Sequence, residues 1–558
     1  MDHLHLYLSN NFTSFADNSN EVIFLVRKSG EHGILMLTVG FFLAFTLILL
    51  NYFSIAFERK HVNAAEERSE LKIIAGISSG TIYDRNMIPI NNCGVIYRAA
   101  AVPSALNCEK TAEYAVDKEK FREKFNEGVP FVFDCRSDTP ESAGLTVFEI
   151  PERFSEEMSA KHIIGYISEN RGVSGLEYAY DSVFRNGSGE NSVTYTTDGL
   201  GRILIGGKKE VVRSNAEKTG VVATIDSRIQ QICEEAWGDR EKGAVIVADV
   251  NSGDILAMAS FPTYSAANLS SALNDERSPM INRALYSYSV GSIFKLVTAC
   301  EAINEGFSGY MYSCDGSIDI NGVKFRCHMH DGHGIQDITE AMTNSCNTYF
   351  ISLSRNLSIP KFRELALSLG FGRESFLCSG MNGSAGVIPT QNDLMLPAEL
   401  ANFSFGQGKL TATPLQISAF TCAIANGGEL PDLRLIKGMT LDGEASLNEK
   451  PPRLTGVMDE SAASQLRRMM VAAISDNDDS NARTRYTKVG AKTSTAQTGR
   501  YDENGDECCH GWITGFFPAD KPKYAVTVLV EDGGYGNDAA APVFREIVDK
   551  IAIIDTKK

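Results

Sequence analysis

From Gly33 to Phe57 the chain runs without a single charged side chain, through a segment that reads FFLAFTLILLNYF at its centre. A helix of about 20 such residues crosses the hydrocarbon of a bilayer. A buried core helix would want polar residues along one face. The segment lies too far from the N-terminus and is too long for a signal-peptide core, and no small-residue cleavage pattern follows. The expectation is a retained single-pass anchor. Basic residues do not set its orientation: Arg27 and Lys28 precede the span, whereas Arg59, Lys60, Arg68 and Lys72 follow it. The positive-inside rule therefore gives no support to an external C-terminus.

The 558 residues exceed one ordinary core, and 43% hydrophobic with 22% charged residues is a globular composition. A net charge of -17 repels phosphate backbones, so no nucleic acid is expected as a partner. The domain reading is a short N-terminus over 1–32, the anchor over 33–57, a polar membrane-proximal domain over 58–219 and a C-terminal domain over 220–558. Twelve cysteines are widely scattered and form no dense disulfide framework. Cys300 and Cys422 sit in apolar runs and read as small core residues. Cys314 and Cys327 are spaced so that a bridge between them stays open.

Ala244–Val250 (AVIVADV) is strand-like, Asn251-Ser252-Gly253-Asp254 is a turn, and Ile255–Ser260 resumes as a strand. A second hairpin joins Trp512–Phe517 to Tyr524–Glu531 around Pro518 and Pro522. Between the hairpins lie helical patterns at Ser292–Glu305 and Pro414–Ala425, and Ala541–Ile554 closes the chain. Hairpins at both ends with helices between them predict an α+β fold, an antiparallel sheet covered by helices.

Three short motifs can carry chemistry. Ser292-Ile293-Phe294-Lys295 opens an apolar helical pattern, so Lys295 lies beside Ser292 on one face. A serine hydroxyl needs a base, and a lysine serves as one only if its pKa is lowered. The helix start also offers backbone N–H groups to an oxyanion. Taken alone, the spacing is that of any solvated helix face. Ser345-Cys346-Asn347 sets a hydroxyl and an amide side by side, although alone it reads as a helix cap. In Lys492-Thr493-Ser494-Thr495, a strand would turn Lys492 and Ser494 to one side and Thr493 and Thr495 to the other. Its bland reading is an exposed edge lysine.

Together, in this order, the motifs resemble those of a class B penicillin-binding protein, a peptidoglycan D,D-transpeptidase. The resemblance extends to GAVIVADVNSGDILAMAS, NRALYSYSVGSIFK, FGQGKLTATPLQ and GWITGFFPADKPKYAVTVLVED. GTIYDRN, AKHIIGY and GVSGLE resemble that family's pedestal domain. The fold so implied is the penicillin-binding/serine β-lactamase-like one. The resemblance implies Ser292 as nucleophile toward the penultimate D-alanine carbonyl of a stem peptide and Lys295 as its base. Ser345 would relay the proton to the leaving amine, and Asn347 would hold the substrate amide and the lysine. Lys492 and Thr493 would bind the terminal carboxylate, with Ser494 and Thr495 on the same substrate-binding strand. The N–H groups of Ser292 and Thr495 would form the oxyanion hole. β-Lactams would acylate Ser292. No metal or organic cofactor is implied.

Three positions depart from the pattern: Ser494 for glycine, Val290 for proline, and Ser79 for the arginine usual before Gly80. Cys327-His328-Met329-His330-Asp331-Gly332-His333, with Cys314 upstream, resembles metal spacing, but the family often has Cys and His-Gly here without obligatory metal, so no metal is assigned. Cys508-Cys509-His510 lies near the third motif. The resemblance places the catalytic domain outside the cytoplasmic membrane, despite the count of flanking basic residues, which does not favour it. It also implies a glycan-polymerising partner, an integral-membrane glycosyltransferase of the shape, elongation, division and sporulation family. The competing readings are a β-lactam-sensing receptor or silent wall-synthesis scaffold, and a β-lactamase or D,D-carboxypeptidase. A class A β-lactamase would want a Glu-x-x-Leu-Asn loop, which is missing, and a receptor would want a sizeable cytoplasmic module.

Overall fold

The computed structural model describes residues 19–57, 70–186, 188–214, 218–266, 268–447, 449 and 451–556. Arg59, Lys60 and Arg68, whose charges bear on orientation, lie outside the described residues, as does most of the N-terminal segment. The chain packs as two compact units, residues 1–73 with 193–211, and residues 74–192 with 212–558. The first carries helix α1 (Ser19–Phe57), whose apolar part Gly33–Ile55 is 23 residues long and has no buried residue. At 1.5 Å per residue that is about 34 Å, enough to cross a bilayer and fit for a single-pass anchor.

In the second unit, strands β1 (Gly94–Ala101), β2 (Phe131–Cys135) and β3 (Leu145–Glu152) form an antiparallel sheet in the order β2-β1-β3. The GTIYDRN segment is held by Asp84, which is fully buried and accepts from Asn86 N, Ile88 N and the Ser227 hydroxyl. Ser227 begins helix α2 (Ser227–Trp237), so this motif is tied to the start of the C-terminal region. Glu177 of GVSGLE is buried against Arg153 at 2.7 Å. The expected boundary at 219/220 falls where Gly220–Ala223 pairs with both Thr81–Tyr83 and Ile436–Thr440, so three parts of the chain share one small sheet.

The C-terminal sheet is built from β4 (Gly243–Asp249), β5 (Ile255–Phe261), β6 (Gly490–Tyr501), β7 (Glu507–Phe517) and β8 (Tyr524–Val530). Its order is β5-β4-β8-β7-β6, with every pair antiparallel, so the two hairpins read in the sequence meet through β4 and β8. The alternation of strand side chains gives this sheet a separate core on each face. Val245, Val247, Ile513 and Val528 point to a core closed by α2 and the C-terminal helix Ala541–Thr556. Ile246, Trp512, Phe516 and Leu529 point to a larger core filled by the central helices. Because both faces are covered, β4 and β8 read as nearly continuous apolar runs, interrupted in β8 by Thr527, rather than as alternating ones. Each such valine or isoleucine contributes about 1.5–3 kcal/mol by leaving water.

Helices α3 (Lys295–Asn304), α4 (Asn347–Ser354) and α5 (Pro414–Ala425) fill that larger core. The start of α5 was legible: Thr413 and Gln416 form a reciprocal capping box, and Pro414 takes the first turn, where its missing N–H costs nothing. Helix α3 is buried nearly all round, and Phe294 just before it packs on Phe403 and Phe371 with ring centroids 4.7 and 5.4 Å away. This packing fixes where the chain around Ser292 can lie.

Candidate active site

Ser292 sits in a 3-10 turn, Gly291–Phe294, that runs directly into α3. With three residues per turn, side chains three apart lie one above the other. Lys295 N–H donates to Ser292 O and closes that turn, which stacks the two side chains as the spacing required. Gly291 has φ 63°, a left-handed conformation that an L side chain resists. Ser292 is half-buried, whereas Lys295 is fully buried.

Ser345 and Asn347 do not cap a helix with their side chains. Ser345 is left-handed at φ 48°, Cys346 takes the cap position without a side-chain cap bond, and Asn347 opens α4. The corner so formed turns both polar groups onto Lys295. Lys295 Nζ donates to Ser345 O at 2.6 Å and to Asn347 Oδ1 at 2.7 Å, with Ser345 Oγ at 3.2 Å. Lys492 comes from the opposite wall. Strand β6 is an edge, yet its Lys492 points inward, only 3% exposed, with Nζ 3.0 Å from the same Ser345 Oγ and 3.0 Å from Thr493 O. Lys492, Ser494 and Ala496 face the interior while Thr493 and Thr495 are half-exposed. The alternation is the one read in the sequence, and the lysine is not the exposed edge residue of the bland reading. Ser494 does not offer its hydroxyl outward: it donates to Val290 O at 2.8 Å.

Two buried lysine amines thus converge on one serine hydroxyl, and among the described residues neither has a carboxylate partner. Burial, with the charge of Lys492 second, pushes the Lys295 amine well below the ordinary lysine range. Burial alone lowers Lys492 to about 8. An amine whose pKa is lowered in this way gives up its proton more readily than an ordinary lysine and so can serve as a base. A lysine without a carboxylate partner beside the same serine hydroxyl attracts an anionic group when it is protonated.

A second cluster lies beneath Ser345. The ligand atoms of Cys314, Cys327, His333 and Cys346 all lie within 4.8 Å of one another. Cys327 Sγ is 3.8 Å from Cys346 Sγ and 3.5 Å from His333 Nδ1. These separations match the edges, about 3.7 Å, of a tetrahedron with 2.3 Å metal–sulfur bonds. Contact with Cys346 lowers the Cys327 thiol, while the same contact raises that of Cys346. All cysteines of the chain are free, so the Cys314–Cys327 bridge left open by the spacing is not formed. Three thiols and an imidazole are the donor set of a closed structural zinc site, and the residues fit Zn²⁺, which would crosslink the Tyr312–Gln336 hairpin region to the Ser345–Asn347 corner. The sequence pointed to Cys314, Cys327 and the histidines; Cys346 was read only as the spacer of Ser-x-Asn. Metal analysis of the full chain purified without chelator is expected to find about one equivalent of zinc, and Cys314→Ser to lose it along with several degrees of melting temperature. Zinc content unchanged in Cys314→Ser would refute the assignment.

Comparison with known proteins shows the family. The family model "Penicillin binding protein transpeptidase domain" matches residues 243–549, more than half of the chain. The chain therefore belongs to the penicillin-binding protein transpeptidase family, in its class B branch. It is 29% identical to "Stage V sporulation protein D" of Bacillus subtilis (strain 168) over 69% of its own length and 61% of that protein's. It thus spans about three-fifths of that relative. It is 25% identical to "Peptidoglycan D,D-transpeptidase MrdA" of Escherichia coli (strain K12), over 97% of this chain and 96% of the relative. Among solved structures, a chain of "Structural coordination of polymerization and crosslinking by a peptidoglycan synthase complex" superposes with TM-score 0.67 at 22% identity, covering 92% of this chain and 97% of that one.

Proposed function

We propose that the chain is a membrane-anchored peptidoglycan D,D-transpeptidase, and that Ser292 forms the acyl-enzyme. The observation that carries this reading is the meeting of Lys295 and Lys492 at Ser345 Oγ, with Ser292 in the 3-10 turn that leads into Lys295. Neutral Lys295 Nζ takes the proton from Ser292 Oγ, which attacks the penultimate D-alanine carbonyl. The N–H groups of Ser292 and Thr495 hold the oxyanion, each donor contributing about 3–4 kcal/mol to the transition state. On collapse the peptide C–N bond breaks, and the proton passes from Lys295 through Ser345 Oγ to the departing D-alanine amine. Asn347 keeps Lys295 aimed and holds the substrate amide. Lys492 and Thr493 bind the terminal carboxylate while the extended peptide lies along the open edge of β6. An amine of a second stem peptide then takes the acyl group from Ser292. β-Lactams enter by the same first step.

The named relatives support the substrate class. The apolar helix supports attachment to a membrane; the family resemblance alone supports placing the catalytic unit on the outer, cytoplasm-distal side. The solved complex named for polymerisation and crosslinking supports a partner that polymerises glycan, an integral-membrane glycosyltransferase of the shape, elongation, division and sporulation family. The test is incubation of the full chain in detergent with a D-alanine-terminated pentapeptide donor and an excess of acceptor amine. Cross-linked product with release of D-alanine is expected. Release of D-alanine with water alone as acceptor would favour a carboxypeptidase, and no turnover in protein that binds penicillin would favour a sensor.

The two lysines also set the pH dependence. Acylation needs Lys295 neutral and Lys492 charged. The second-order rate with penicillin, which reports the free enzyme, is expected to rise through the depressed pKa of Lys295. It is expected to fall above the Lys492 value of about 8. A rate that keeps rising to pH about 10, where an ordinary lysine titrates, would contradict the assignment.

A further inference from the structure

The peptide unit joining Val290 to Gly291 is pinned at both ends. Its N–H donates to Gly406 O at 2.8 Å. Its carbonyl accepts the Ser494 hydroxyl, also at 2.8 Å. The two groups of a trans peptide point in opposite directions, so the pins come from opposite walls, the Phe405–Gly408 loop on one side and strand β6 on the other. Val290 is fully buried and Ser494 is 3% exposed, so water does not replace either partner. The approach is close: a Cβ built on Gly291 would stand 2.4 Å from Ser494 Oγ and 3.1 Å from Thr495 O. Val290 and Ser494 are also two of the positions where this chain departs from the pattern read in its sequence, and here they bond to each other.

We propose that Ser494 is a positioning residue: its hydroxyl, by fixing the Val290–Gly291 peptide, sets the register between the nucleophile's turn and strand β6 and thereby the spacing of the two oxyanion donors. Gly291 needs such a restraint. It is a glycine at φ 63°, the most freely rotating residue in the turn, and the next N–H along the chain is that of Ser292. No proline holds position 290, where φ is -88°. Without the Ser494 hydroxyl the peptide is held by its N–H alone and can rock about that bond, carrying the Ser292 N–H with it. Ser494 is the neighbour of Thr495, so the same contact ties both proposed donors together. The hydroxyl touches no reacting atom, and its effect belongs to the acylation step rather than to binding.

This inference rests on the acyl-enzyme reading, and its test separates the two. The full chain in detergent is mixed with a fluorescent penicillin in a stopped-flow instrument, and the binding constant, the first-order acylation constant and the labelled fraction are measured for wild type, Ser494→Ala and Ser494→Gly. Loss of one neutral buried hydrogen bond at a transition-state donor predicts an acylation constant about fivefold to tenfold lower in both variants. The binding constant and the labelled fraction are expected to match wild type. An unchanged or faster acylation constant overturns the proposal, because serine would then only be occupying space. A fall in labelled fraction with no change in the constant also overturns it, because the role would then be structural. Wild type that takes no label would defeat the acyl-enzyme reading instead.

Discussion

Lys295→Met is expected to slow acylation of Ser292 by about a thousandfold, the middle of the range for a lost general base, while the protein folds and anchors as before. Methionine keeps the length and bulk of the stem in a site that is fully enclosed. It removes the amine that holds Ser345 O and Asn347 Oδ1 at 2.6 and 2.7 Å. Two acceptors then lack a donor, but a buried amine no longer has to be desolvated. These effects oppose each other, so the net change in stability is expected to be small, about 1–3 kcal/mol. Lys295→Arg separates base from cation, since guanidinium keeps its charge and takes no proton at neutral pH. It is expected to be as slow as Lys295→Met or slower. Acylation by Lys295→Met within about tenfold of wild type would mean that another group serves as base.

Gly406→Ala is expected to be nearly as damaging, for a steric reason. Gly406 has φ 82°, and a Cβ there would stand 2.0 Å from Gly291 O and 2.9 Å from the Phe294 Cβ. The colliding atoms are backbone and a packed aromatic stem, neither of which can swing aside. The turn that carries Ser292 must move or the Phe405–Gly408 loop must unpack, and either displaces the nucleophile. Acylation is expected to fall by about a hundredfold or more, as for a displacement near 1 Å at a reacting centre. Gly306→Ala is the control. It has the same sign of backbone strain, φ 84°, with nothing within 4 Å, and is expected to cost only about 1–2 kcal/mol of stability and no acylation. Equal acylation rates for the two alanine variants would show that backbone strain, and not contact with Gly291, is what matters at 406.

Much of this arrangement could be read from residues close in sequence. The hairpin at Asn251–Asp254, the helix over Pro414–Ala425 and the three-residue spacing from Ser292 to Lys295 are local signals, and each stands where expected. Contacts made across long stretches of chain were not legible. Ser345 and Asn347 follow a common cap pattern, and only the left-handed turn at Ser345 aims them at a lysine fifty residues earlier. Edge lysines usually face water, and Lys492 is turned inward by the register of β6 on β7. The Ser494 hydroxyl finds a carbonyl 204 residues away. Cys346 joins Cys314, Cys327 and His333 only because two loops fold onto the same corner. Spacing shows which chemistry is available, and packing decides which side chains reach it.

The most direct test of the central claim is the site of covalent attachment. The full chain in detergent is treated with penicillin, digested and mapped by tandem mass spectrometry, alongside Ser292→Ala. The account predicts one adduct of intact penicillin mass on Ser292, stable over minutes, and no adduct anywhere in Ser292→Ala. An adduct on Ser345, Ser494 or any other residue, or undiminished labelling of Ser292→Ala, would contradict it.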